Sequence, residues 1–255
     1  MLCCVATRSR PNYTHIHFLV CLEREATFLI NQRHAYRIDV FVPCFRGILL
    51  QEQSRLEEAL LCYENAIRFR PRLAMAHLNM GLVLGMLGRK DEAAEVYKHC
   101  AGLDGNGLKD PKMHEATRVS ALFNLGRLSA DEGRYNDAIQ IYQQAISKMP
   151  NHYQAQSLYN MMGEAYTKLS QHDKAEEWYK QALRAKPDHV PAHLTYAKLL
   201  AKMNRLEEAE TWFLKAKSIA PNDSSIYQHY GMAIKNSFLL VLLLFSFIDL
   251  VTFMS

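Results

Sequence analysis

The sequence predicts an all-α fold, with antiparallel helix pairs stacked into a right-handed superhelix with atypical ends. Three observations predict it. Four stretches, "NMGLVLGMLGRKDEA", "NLGRLSADEGRYNDA", "NMMGEAYTKLSQHDKA" and "TYAKLLAKMNRLEEA", each place a small residue twelve positions before an alanine. The pairs are Gly81/Ala93, Gly126/Ala138, Gly163/Ala175 and Ala197/Ala209, and Gly47/Ala59 obeys the same rule. Four residues after each alanine stands an aromatic (Tyr63, Tyr97, Tyr142, Tyr179, Phe213), and three further on another small residue (Ala66, Cys100, Ala145, Ala182, Ala216). The period is the third observation: Gly47 to Gly81, Gly163 to Ala197 and Ala197 to Gly231 are each 34 residues.

Each position has a physical reason. Small residues on both helices of a pair let the two backbones approach closely. The aromatic fills the gap between one pair and the next. Pro71, Pro150, Pro187 and Pro221 follow the second helices and end them, because proline lacks an N–H and clashes with the preceding turn. A fixed period of this length with these offsets resembles the tetratricopeptide repeat.

Taken in order, the repeats fall at about 40–73, 74–107, 119–152, 156–189 and 190–223, with a partial one at 224–236. Gly81 to Gly126 is 45 residues, so an insertion occupies about 101–118. Asp110 is a good N-cap and Pro111 a good first helical residue. A glycine-rich loop is therefore expected, followed by a long helix from about Pro111 to Ala130. "DGNG" in that loop lacks the later acidic ligands and closing Glu of a calcium loop, which leaves a plain turn.

The ends depart from the pattern. Residues 1–46 do not fit the first repeat, since Pro43 falls inside its expected first helix. Poorly ordered sequence or irregular strands are expected there. After Lys235, residues 236–255 form a hydrophobic tail whose only charge between Phe238 and Met254 is Asp249. A membrane helix, a buried helix on the end of the array, or sequence foreign to the repeats would each account for it. The two abrupt junctions favour a repeat region, 47–235, flanked by foreign sequence, a fragment of a longer protein.

Composition narrows the function. The chain has 255 residues, 49% apolar, with a formal net charge of +4, so nothing demands a nucleic-acid partner. The six cysteines include no C-x-x-C pair, and His15/His17 have no matching second pair, so no metal site is expected. His189 and His193 are separated by Pro191, which argues against a helical metal pair. No G-x-S-x-G, phosphate-binding glycine loop or H-E-x-x-H occurs, so no catalytic residue is assigned.

A repeat array of this kind offers a concave surface lined by the first helix of each pair. Two positions before the small residue stand Asn79, Asn124, Thr195 and His229, with Asn160 one residue out of register. An amide can pair with a main-chain peptide group whatever the peptide's sequence. The row resembles the asparagine ladder with which some tetratricopeptide transferases hold polypeptides; wetted groove residues are the plainer reading. Arg127 and Lys198, one turn along, would contact acidic side chains or merely be solvated.

Departures from the repeat consensus carry a finer resemblance. "LKDPKMHEAT", "YQAQSLYNMMGEAYTKLS", "AEEWYKQALRAKPDHVPAHLTYAKLLA" and "AETWFLKAKSIAPNDSSIYQHYG" resemble the transmembrane and tetratricopeptide-repeat-containing family, over about Gly47 to Lys235. That resemblance implies an endoplasmic-reticulum membrane protein with lumenal repeats. It also implies mannose transfer from dolichyl phosphate mannose to Ser or Thr of cadherin-type clients. The family's catalytic membrane portion has no counterpart in this sequence, so no cofactor is expected in this chain and no transferase activity from it alone. A stand-alone adaptor, cytoplasmic and without catalysis, is the alternative. Asn222-Asp223-Ser224, a glycosylation sequon in an inter-repeat turn, favours the lumen.

Overall fold

The computed structural model describes residues 35–232, apart from 107 and 109, and for 35–42 the backbone only. Ten helices run in order: α1 (Ala35–Glu52), α2 (Leu56–Phe69), α3 (Ala74–Met86), α4 (Lys90–Gly102), α5 (Pro111–Asp131), α6 (Tyr135–Ser147), α7 (Gln156–Lys168), α8 (His172–Ala185), α9 (Val190–Lys202) and α10 (Leu206–Ile219). Residues 224–232 are helical as well, and the expected tail at 236–255 lies outside the described residues. No strand occurs among the described residues. The chain divides into two compact units, Met1–Lys109 and Asp110–Ser255.

In the first unit α1 packs on α2, α2 on α3 and α3 on α4, with α1 also touching α3. In the second, α5 to α10 pack each on the next, and the first helices touch one another as α5–α7 and α7–α9. The repeat positions build both cores. Ala59, Ala93, Ala138, Ala175 and Ala209 are buried, as are Tyr63, Tyr97, Tyr142, Tyr179 and Phe213. Each tyrosine ring lies edge-on to the glycine sixteen residues earlier, so closely that no side chain fits between. A Cβ on Gly47 would lie 2.7 Å from Tyr63 Cε1, and one on Gly163 2.5 Å from Tyr179 Cε1. Carbons prefer roughly 3.5–4.0 Å, which is why glycine recurs here.

The turn inside each hairpin repeats as well. Seven residues after the small residue, the chain adopts a left-handed conformation at Ser54, Gly88, Gly133, Ser170 and Asn204, with φ between 59° and 79°. One residue of that hand reverses the chain after the first helix and brings a backbone N–H back onto its last turn: Arg89 N donates to Leu84 O at 2.9 Å, and Gln171 N to Tyr166 O at 2.9 Å. After Pro71, Pro187 and Pro221 the next helix starts three residues later, and after Pro150 six later, at Gln156.

Two features differ from the sequence expectation or refine it. The first helix runs straight through Pro43, from Ala35 to Glu52, where an irregular segment was expected before residue 47. Proline there costs one intrahelical bond, but Cys44 and Leu50 are buried and Gly47 sits against Tyr63, so packing onto the second helix overrides the local penalty. Residues 1–34 lie outside the described part. The long third-hairpin helix spans Pro111–Asp131, with the Asp110 carboxylate accepting from Met113 N at 3.0 Å. Its additional N-terminal turns are held from the side: the hydroxyls of Ser120 and Tyr153 share a hydrogen bond at 3.3 Å, and a His152 ring nitrogen lies 3.3 Å from Lys112 O.

Candidate functional site

The first helices of the second unit carry the candidate residues on one side: Asn124 and Arg127 on α5, Asn160 on α7, Thr195 and Lys198 on α9, and His229 on the following helical stretch. Asn79 lies on α3, in the first unit.

Most of these polar groups also have internal work. Tyr63 donates its hydroxyl to Gln51 Oε1 at 3.3 Å and hydrogen-bonds the Asn79 side chain. Tyr179 makes the equivalent two contacts three hairpins later, sharing a 3.1 Å bond with Thr167 Oγ1 and a second with Thr195. In these two hairpins one rule holds: the tyrosine hydroxyl reaches the residue four after its own glycine and the residue two before the next repeat's small residue. Asn79 and Thr195 therefore satisfy buried tyrosines, which sequence reasoning assigned wholly to the groove. The repeat offset contained the signal, because Gln51 and Thr167 are polar at a position that is otherwise Gly85, Ala130 or Ala201.

Asn124 is buried at 8% exposure and donates Nδ2 to Ser120 O at 2.8 Å on its own helix. Asn160 is buried too, and it is bonded on both sides. Its Nδ2 donates to Glu164 Oε1 at 2.8 Å, and its Oδ1 accepts from Thr195 Oγ1 at 2.6 Å across to α9. That bond explains how a residue out of register still joins the row.

Glu164 is the residue the sequence reading missed. It is half-buried, and burial raises its carboxyl above the usual range; the Asn160 bond and the nearby charges of Lys198 and Lys168 oppose this, while Asp131 reinforces it. Lys198 responds in kind: desolvation depresses its ammonium, Glu164 opposes, and Lys168 adds to the depression. His229 is lowered by desolvation first and then by Lys198, with Asp223 opposing.

Arg55–Glu58, Arg89–Glu92, Arg134–Asp137 and Arg205–Glu208 are ion pairs repeated at the start of α2, α4, α6 and α10. Among the described residues Arg127, Lys168, Lys198 and Glu164 form no ion pair. No group of three or more His, Cys, Asp and Glu side chains among the described residues could hold a metal ion. His193 instead closes a turn: its Nε2 lies 2.7 Å from Pro187 O, as His77 Nε2 lies 2.8 Å from Pro71 O.

Helix pairs at this period, with glycine against tyrosine in hairpin after hairpin, define a tetratricopeptide-repeat protein. Tetratricopeptide family models match residues 49–88, 74–106, 117–188 and 166–229. The repeats place the chain in the transmembrane and tetratricopeptide-repeat-containing family of protein O-mannosyl-transferases. It is 49% identical to human Protein O-mannosyl-transferase TMTC2 over 131 residues, covering 51% of this chain and 16% of that protein. With Protein O-mannosyl-transferase Tmtc2 of Drosophila melanogaster the identity is 39% over 221 residues, covering 72% of this chain and 24% of the relative. The chain thus spans no more than about a quarter of the length of these relatives. The solved structure of pilF from Pseudomonas aeruginosa shares the fold, at 16% identity and a TM-score of 0.62, over 82% of this chain and 93% of that one. No helix among the described residues is long and apolar enough to cross a membrane.

Proposed function

We propose that this repeat array holds extended polypeptide clients for a membrane O-mannosyltransferase. By family, the donor is dolichyl phosphate mannose, the clients are cadherin-type proteins, and the repeats lie in the lumen of the endoplasmic reticulum. The observation that carries the reading is the set of charges on the first helices of the second unit: Arg127, Lys168 and Lys198 form no ion pair and share those helices with the polar groups of Asn124, Asn160 and Thr195. Unpaired cations beside amides fit an extended chain with acidic side chains, the amides meeting its main chain and the cations its carboxylates. The matching repeats of the O-mannosyl-transferases support the same reading.

Titration of a fluorescent, unstructured acidic peptide into the purified chain tests it. Arg127→Ala and Lys198→Ala are each expected to weaken binding by about threefold to tenfold, and to flatten its salt dependence. Asn124→Ala is the better probe of the amide row, because Asn79→Ala also strips a partner from Tyr63. Binding unchanged in Asn124→Ala, Arg127→Ala and Lys198→Ala, with helicity retained, would remove the proposal.

A further inference from the structure

The tyrosine rule leaves one hydroxyl without either of its partners. In the third hairpin the residue four after the glycine is Ala130, and the residue two before the next glycine is Met161; neither offers a hydrogen bond. Tyr142 is fully buried, and its hydroxyl has no partner. Its ring edge lies on Gly126, so the hydroxyl projects past α5 toward the candidate face, and the charges acting on it there are Glu164, Asp131 and Arg127. A buried, unpaired hydroxyl is costly and therefore uncommon. First among the charges acting on that hydroxyl is Glu164, a half-buried carboxylate that forms no ion pair. Asn160 fixes it through Oε1, and Thr195 fixes Asn160 in turn, so the carboxylate is held in place before any ligand arrives.

From this juxtaposition we infer that Glu164 is the register-setting residue of the face: its carboxylate takes a main-chain N–H of the bound extended peptide. The inference rests on the peptide-holding reading above and deepens it. A main-chain N–H fits better than a basic side chain, because Lys198 and Lys168 lie near the carboxylate and repel a further cation. These two lysines, with Arg127 on α5, receive acidic side chains, so the peptide carries carboxylates flanking the amide that Glu164 accepts. Tyr142 is a positioning residue, its hydroxyl keeping the surroundings of Glu164 polar.

The probe is a labelled peptide of alternating Glu, Ser and Gly, compared with its N-methylated counterpart, which lacks N–H groups at alternate positions. Glu164→Gln keeps the shape and removes the charge. It is expected to raise the thermal midpoint, because a desolvated unpaired charge is gone, and to weaken binding of the plain peptide about tenfold, the loss of one hydrogen bond to a charged acceptor. N-methylation should weaken binding to the parent chain by a similar factor and add little in Glu164→Gln. Glu177→Gln, on the exposed face of α8, should leave binding unchanged. Tyr142→Phe should raise the midpoint as well and weaken the plain peptide about twofold to threefold, an effect absent in the Glu164→Gln background. If the parent binds the peptide and Glu164→Gln binds it equally well, or if N-methylation still weakens binding to Glu164→Gln by the full factor, the assignment to Glu164 fails while the peptide-holding reading stands. A parent chain that binds neither peptide removes both.

Discussion

Replacing Gly163 by alanine tests the contact on which the whole array is built. In an ordinary helix interior the change is favourable by about 1 kcal/mol, since glycine is the poorer helix former. Here the new Cβ would lie 2.5, 2.6 and 2.9 Å from Cε1, Cδ1 and Cζ of Tyr179, each about 1 Å inside the carbon–carbon optimum. The ring cannot simply retreat. It is 1% exposed, its centroid is 6.1 Å from that of Tyr196, and its hydroxyl is bonded to Thr167 at 3.1 Å. Overpacking of this kind costs about 1–3 kcal/mol and at times more, so a net loss of about 2 kcal/mol is expected. Gly85→Ala is the internal control, because a Cβ there meets nothing within 4 Å; it should gain up to about 1 kcal/mol. The fifth hairpin supplies a second check. It carries Ala197 opposite Phe213, a ring without a hydroxyl to tether it, so adding Tyr179→Phe to Gly163→Ala should cost less than the two changes summed. Urea denaturation followed by circular dichroism reads all four variants. A Gly163→Ala chain as stable as Gly85→Ala would refute the close-approach argument.

Other substitutions probe separate parts of the same logic. Ser54→Gly and Ser170→Gly should each stabilise by about 1 kcal/mol, because both serines hold a left-handed backbone that glycine adopts without strain; an unchanged midpoint would contradict this. Tyr142→Phe should stabilise and Tyr179→Phe destabilise, each by about 1 kcal/mol, since only the second hydroxyl has partners; equal effects in the same urea experiment would break the tyrosine rule. Glu176 gives a pH signature: burial pushes its carboxyl up, but hydrogen bonds from Lys180, Arg205 and Tyr196 outweigh it and hold it at about 2. A carboxyl lowered on folding stabilises above its unfolded value of 4.5 and loses that contribution as pH falls toward about 2, an amount on the order of 3 kcal/mol. Glu176→Gln should therefore shed much of the acid-induced fall in thermal midpoint, and an undiminished fall would assign it to other carboxylates.

The Pro43 helix, the tyrosine rule and Glu164 mark how far the sequence could be read. The five small-residue/alanine pairs and the prolines after them determined the helix pairs, their order and the long helix that opens the third hairpin, because these features depend on local sterics: where a side chain fits, where a proline stops a helix, where an aspartate caps one. The same logic misplaced the start of the array at Gly47, since Pro43 is unfavourable to a helix only until the burial of Cys44 and Leu50 is weighed against it. Asn79, Asn124, Asn160 and Thr195 were readable as polar positions on one helix face, and their spacing alone gave that. What each amide or hydroxyl bonds was decided by the tertiary structure, because Tyr63, Tyr179 and Glu164 reach them from other turns and other helices. Glu164 itself has no periodic partner in the sequence. Its character comes from the neighbours that desolvate it, and only the packed array brings them to it.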